Sequence, residues 1–161
     1  MKVIAIEPAP ENLECLRRNF AAEIAAGWVI VYPEGVWDKD DVLKLWINPK
    51  NSAADTFVGQ FKNTPFVEVP LTTIDKLVEE LHLPKVDFIK MDIEGAEQKA
   101  IVGAKNTIAK FRPRMALCIY HLPDDATMVP QLVHDVVSDY GVSKTCLCAP
   151  DRIGPQVAFF Y

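Results

Sequence analysis

The sequence predicts an α/β fold whose mainly parallel sheet closes in a C-terminal antiparallel hairpin. Three observations carry that expectation. Short β-branched runs alternate with segments of helical periodicity along the whole chain. The run Val3-Ile4-Ala5-Ile6 is apolar on both faces, as central parallel strands are. The stretches 143–148 and 157–160 read as a closing hairpin.

Taken in order, the strand at 3–6 leads into a helix with Pro10 in its first turn, where a missing amide does no harm. Leu13, Leu16, Phe20 and Ile24 recur at helical spacing, and Gly27 ends the segment. Residues 28–32 form the second strand. Strands are expected at 42–47 and 66–69, with a polar loop between them. Thr72-Thr73-Ile74-Asp75 resembles a capping box with Asp in place of Glu, opening a short helix to Leu81. A strand at 86–91 follows Pro84, then one helix from Glu97 to about Lys110, which Arg112-Pro113 breaks. Residues 115–120 form another strand. Pro130 is placed in the first turn of the next helix, whose apolar side carries Val129, Leu132, Val133, Val136, Val137 and Tyr140. Neither an internal repeat nor a linker interrupts this order, so a single domain is expected.

Composition narrows the function classes. The 161 residues carry 17 basic and 22 acidic side chains, a net charge of −5. At this length folding buries roughly 70% of the unfolded surface, so no metal or disulfide staple is required. The acidic balance, with basic runs no longer than pairs such as Arg17-Arg18, argues against nucleic acid as a partner. No stretch approaches the ~18 apolar residues of a membrane span. The first apolar run stops at Glu7-Pro8, too short for a signal-peptide core. None of the four cysteines forms a C-x2-C pair, and Cys146 and Cys148 do not suit a zinc site, so reduced thiols and a cytoplasmic location are expected.

Four places can carry chemistry. Glu7 ends the first strand, where an acid in a nucleotide-binding sheet accepts from ribose hydroxyls; otherwise it serves the following helix N-terminus. Trp37 and Asp38 follow the second strand on the expected adenine side, with a buried tryptophan beside a surface turn as the competing reading. In the segment 90–97, a buried strand runs into Asp92, Glu94 and Glu97 at the edge where open α/β sheets bind ligands. Continued extension places Asp92 and Glu94 on one face, Gly95 permits the turn, and Glu97 returns toward the crevice from the first helical turn. Such carboxylates orient a substrate, act as a general base or hold a hard cation such as Mg2+. His121, at the end of the next strand, reaches the same edge and can act as a base. His82 and His134 receive no role.

Together these segments resemble the FkbM-type family of S-adenosylmethionine-dependent methyltransferases. The likeness rests on residues 3–13, 71–77 and 86–97, with Gly103-Ala104, Phe111-Arg112-Pro113 and residues 120–125 in the right order. It implies a Rossmann-like methyltransferase domain over residues 1–161 that uses S-adenosylmethionine. The expected cofactor contacts are Glu7, Trp37, Asp38 and Asp92; the expected catalytic set is Asp92, Glu94 and His121, with His121 or Asp92 as base. Family members methylate hydroxyl oxygens on sugars or natural-product scaffolds, so a small-molecule or glycan hydroxyl is the implied acceptor.

One departure accompanies the likeness. The glycine-rich turn of such enzymes lies about 20 residues before the ribose acid, which from Glu7 falls ahead of Met1. None of the seven glycines forms a G-x-G. The expected domain is therefore N-terminally incomplete and lacks the usual first strand, which would lie between the strands at 3–6 and 86–91. Those two strands then pair directly, recruit a second copy of the chain through an exposed edge, or await upstream sequence. Two functions from other classes stand beside methyl transfer: a non-catalytic remnant that serves as a binding or assembly module, and, ranked last, a metal-dependent hydrolase built on Asp92, Glu94 and Glu97.

Overall fold

The structure is a computed structural model that describes residues 2–58, 63–149 and 152–161. Met1 and the side chain of Cys148 lie outside the described residues. Among the described residues the strands fall into three sheets. In the first, β1 (Val3–Ile6) runs parallel to β2 (Val29–Tyr32), with Val3 opposite Val29 and Ile6 opposite Tyr32. The second has β5 (Phe66–Thr72) between β3 (Gly35–Val36) and β4 (Asp41–Trp46), parallel to the former and antiparallel to the latter. In the third, the order is β6 (Phe88–Met91), β7 (Arg114–Cys118), β9 (Arg152–Phe160), β8 (Val142–Ala149). There β6 and β7 are parallel, and the closing hairpin is antiparallel and joins the sheet through β9.

Six α-helices connect these strands among the described residues. The apolar period at 13–24 predicts one helix, but the chain forms α1 (Pro10–Asn19) and α2 (Ala21–Ala25), broken at Phe20. Leu13 is buried whereas Phe20 is 42% exposed and nothing in α2 is fully buried, so the period outruns the surface available to cover it. Pro70 does not end β5. It stands opposite Val42 of β4, before β3 begins to pair at Leu71, so the strand has only one neighbour there.

Thr73 caps α3 (Ile74–Glu80) by accepting from the Lys76 amide. Asp75 does not return to its own helix. Its two oxygens accept from the amides of Asn106 and Thr107, in the first turn of another helix. That helix is α5 (Lys105–Phe111), separated from α4 (Glu97–Val102) at Gly103-Ala104 where the sequence predicts continuity. The cause is a close crossing: a Cβ on Gly103 would meet the carbonyl oxygen of Trp37 at 2.0 Å.

Pro130 lies inside α6 (Asp125–Val136), not in its first turn, because the helix starts at Asp125. Proline leaves the Ala126 carbonyl without its helical donor, and the Lys144 ammonium from β8 donates to that oxygen at 2.7 Å. The face of α6 carrying Val129 and Val133 packs with Ile101, Ile108, Leu117 and Phe160 in the main core. A smaller cluster of Ala9, Leu45 and Val69 lies with the second sheet.

The expected break in the sheet is present. β1 pairs with β2 and β6 with β7, and no described strand lies between β1 and β6. Direct pairing of the two is therefore corrected: a cavity of about 1560 Å3 separates them, lined by both. Val3 and Phe88 on the facing strands are 44% and 57% exposed. No helix among the described residues is long and apolar enough to cross a membrane.

The crossing at Gly103 gives a first test. Gly103→Ala forces the α4–α5 junction off the Trp37 carbonyl and is expected to cost about 2 kcal/mol or more in urea unfolding. Wild-type stability would show that the crossing is looser than described.

Candidate functional site

The site begins where β6 ends. Met91 is buried and paired with Leu117, and the chain then leaves the sheet through Asp92-Ile93-Glu94-Gly95. Extension does not continue as expected, since Glu94 and Gly95 both take positive φ, 54° and 96°. Gly95 supplies such a conformation readily; Glu94 adopts it at a cost, of the kind structures keep at functional sites. The tight turn comes from Glu97, the first residue of α4. One of its oxygens accepts from the Ile93 amide at 2.9 Å and the other from the Gly95 amide at 3.0 Å. The expectation that Glu97 points into the crevice is corrected: its side chain is fully buried, consumed by these amides. Thr56 holds the loop from the other side, its hydroxyl donating to the Glu94 carbonyl.

His121, three residues past β7, is brought to this loop. Its Nε2 lies 3.5 Å from Asp92 Oδ1 and 3.4 Å from Glu94 Oε1, and its Nδ1 lies 3.1 Å from Glu97 Oε1. None of these contacts has hydrogen-bond geometry, so both ring nitrogens are buried without a hydrogen-bond partner. Burial works against a proton on the ring, but the Glu97 carboxylate, then Glu94 and Asp92, outweigh it and raise the imidazole pKa. The Tyr120 ring packs against the imidazole at 4.1 Å between centroids, and its hydroxyl donates to Asp92 Oδ1. Burial pulls the Asp92 pKa upward, but the Cys118 thiol, the Lys90 ammonium and the Tyr120 hydroxyl more than offset this and hold it below the ordinary value. In turn, burial and the Asp92 carboxylate push the Cys118 thiol up to about 12.

The expected site residues divide into two groups. Glu7, Asp92 and Glu94 line one and the same cavity between β1 and β6, with Tyr120 at its wall. His121 stands behind Asp92 and Glu94, only 7% exposed in its side chain. Glu7 ends β1 and accepts from the Ala9 amide at 2.8 Å, so it serves the start of α1 while facing the cavity. Burial raises its pKa. Trp37 and Asp38 are not among the residues lining the cavity. Trp37 packs edge-on against Phe57 with the Lys99 ammonium 5.9 Å from its ring, and Asp38 pairs with that ammonium at 2.7 Å.

Two contributors escaped the sequence reading of roles. Asp125, fully buried in the first turn of α6, accepts from the Leu122 amide and from the Gln98 side chain, and so shapes the loop after His121. The acid pair Asp124-Asp125 opening a helix was its available signal. Cys118 had none, because only the fold brings its thiol to Asp92.

The family model described as methyltransferase FkbM domain matches residues 1–141. Among solved structures, that of methyltransferase FkbM from Methylobacillus flagellatus KT is similar, with a TM-score of 0.72 and 24% identity, a likeness of fold. The match covers 99% of this chain and 36% of that one, so the chain spans little more than a third of that relative. No curated protein matches.

The buried carboxylate at the centre of the loop is testable without any ligand. Glu97→Gln keeps one acceptor but turns an NH2 group toward a backbone amide, and should cost about 1–3 kcal/mol of unfolding free energy. An unchanged urea midpoint would mean that the loop is held by other contacts.

Proposed function

We propose, from the premise that the chain belongs to the FkbM methyltransferase family, that its cavity is the crevice of an S-adenosylmethionine-dependent O-methyltransferase. The observation that carries the reading is the shared wall: Glu7, the expected ribose acid, and Asp92 with Glu94, the expected acceptor side, border one cavity. The ribose half of the cofactor fits a half-buried carboxylate at the end of β1. No described residue supplies the glycine turn of the methionine half. When bound, the cofactor supplies an electrophilic methyl group.

The chain's own residues then divide the work. Glu7 holds the ribose hydroxyls. Asp92, ionised well below neutrality, accepts the hydrogen bond of an acceptor hydroxyl on a sugar or natural product. It takes that proton as the oxygen is methylated. Glu94 flanks the same oxygen. His121 is a positioning residue in this scheme, since its ring lies behind the two carboxylates. Alignment of acceptor and methyl group contributes more than acid–base strength in such a transfer.

A second reading is favoured by the open edges of β1 and β6. In it the chain is a binding or assembly module, and a second copy supplies backbone partners to those edges.

The assay that separates them follows transfer of a labelled methyl group to a panel of hydroxyl-bearing sugars and polyketides. Methyl transfer that falls about 100-fold or more in Asp92→Asn supports the enzyme reading. A folded wild-type chain that transfers to no acceptor favours the module, and transfer unchanged by the substitution removes Asp92 as base.

A further inference from the structure

We propose that Asp92, Glu94 and His121 form a binding site for one divalent cation of the Mn2+ kind, facing the crevice; the role this gives the cation rests on the acceptor reading above. Asp92 Oδ1 and Glu94 Oε1 lie 3.5 and 3.4 Å from His121 Nε2, and the three ligand atoms all fall within 4.8 Å of one another. Bonds of about 2.1 Å at tetrahedral or octahedral angles put neighbouring ligand atoms ~3.0–3.5 Å apart, the spacing seen at Nε2.

The histidine gives the independent observation. Its side chain is more than nine-tenths buried, and both ring nitrogens lack a hydrogen-bond partner although oxygens surround them. Nitrogens placed among oxygens without hydrogen-bond geometry suit an ion at Nε2. On the far side of the ring, Nδ1 is 3.1 Å from Glu97 Oε1; a small ring rotation on ion binding would bring its N–H into line with that carboxylate, the arrangement that orients a metal ligand. Glu97 is itself fixed by the Ile93 and Gly95 amides, and Tyr120 donates to Asp92 Oδ1.

A second grouping, Glu97, His121 and Asp125, is a poorer site, because its carboxylates are already occupied by amide donors. Lys90 lies 3.3 Å from Asp92 Oδ2, the oxygen away from His121, and its side chain is 58% exposed, so it can yield to solvent. Two carboxylates and one imidazole give an oxygen-rich mixed set, which suits Mn2+ better than Mg2+, an ion that takes oxygen ligands. Three protein ligands leave positions open toward the cavity, where an acceptor oxygen would complete the shell. Asp92 Oδ2 remains to take the proton.

The test uses the whole chain with MnCl2 alone, without cofactor or acceptor. Expected are one saturable Mn2+ per chain by electron paramagnetic resonance, a 14N coupling from the imidazole in the pulsed spectrum, and affinity at least tenfold weaker in Glu94→Gln. A folded His121→Gln chain should lose the nitrogen coupling, while Asp139→Asn, at the remote Arg112 pair, should bind as wild type. Absence of saturable binding, binding without nitrogen coupling, or affinity unchanged in Glu94→Gln would overturn the site. Because the readout needs no methyl transfer, failure of the metal site leaves the enzyme reading standing, and failure of the enzyme reading leaves the metal site.

Discussion

The buried carboxylate of Glu97 is the constraint on which the site depends. A charged side chain with no solvent exposure needs donors, and the nearest ones are the amides of Ile93 and Gly95 in the loop before its own helix. Satisfying them folds the loop back on α4, forces Glu94 and Gly95 into positive φ, and swings Asp92 and Glu94 toward His121. The same carboxylate faces His121 from behind. One residue therefore joins the end of β6, the start of α4 and the segment after β7.

Around that knot the fold is arranged to leave an opening. β1 and β6 each keep one parallel partner on the side away from the other, and the space between them is the cavity bordered by Glu7, Asp92 and Glu94. The main core lies under α4, α5, α6 and β7, and its Val36, Ile74 and Met91 also form part of the cavity wall, so the opening is backed by the packing that stabilises the chain. The extra energetic demand falls on exposed strand edges and on Val3 and Phe88 beside them.

Much of this was legible in the chain itself. The strand pair expected at 3–6 and 28–32, the turn at Gly95 and the approach of His121 to Asp92 follow from local pattern and topology, whereas the helix cap falls on Thr73, one residue later than the capping box at Thr72 implies. What pattern could not show depends on contacts distant in sequence. The break at Gly103 needs the Trp37 carbonyl, and the tolerance of Pro130 inside α6 needs Lys144 from β8. Glu97 reads the same from sequence whether it faces the crevice or the loop; only the two amides decide it. Trp37 and Asp38 follow the second strand as expected, yet Lys99 of α4 engages both away from the cavity wall.

The central claim is that the opening between β1 and β6 receives the cofactor through Glu7. Calorimetric titration with S-adenosylhomocysteine, wild type beside Glu7→Ala, tests it most directly. The account predicts saturable binding that weakens about tenfold or more when the carboxylate is removed, the scale of a lost charge-assisted hydrogen bond. No heat from a folded wild-type chain, or equal affinity in the two proteins, would contradict it.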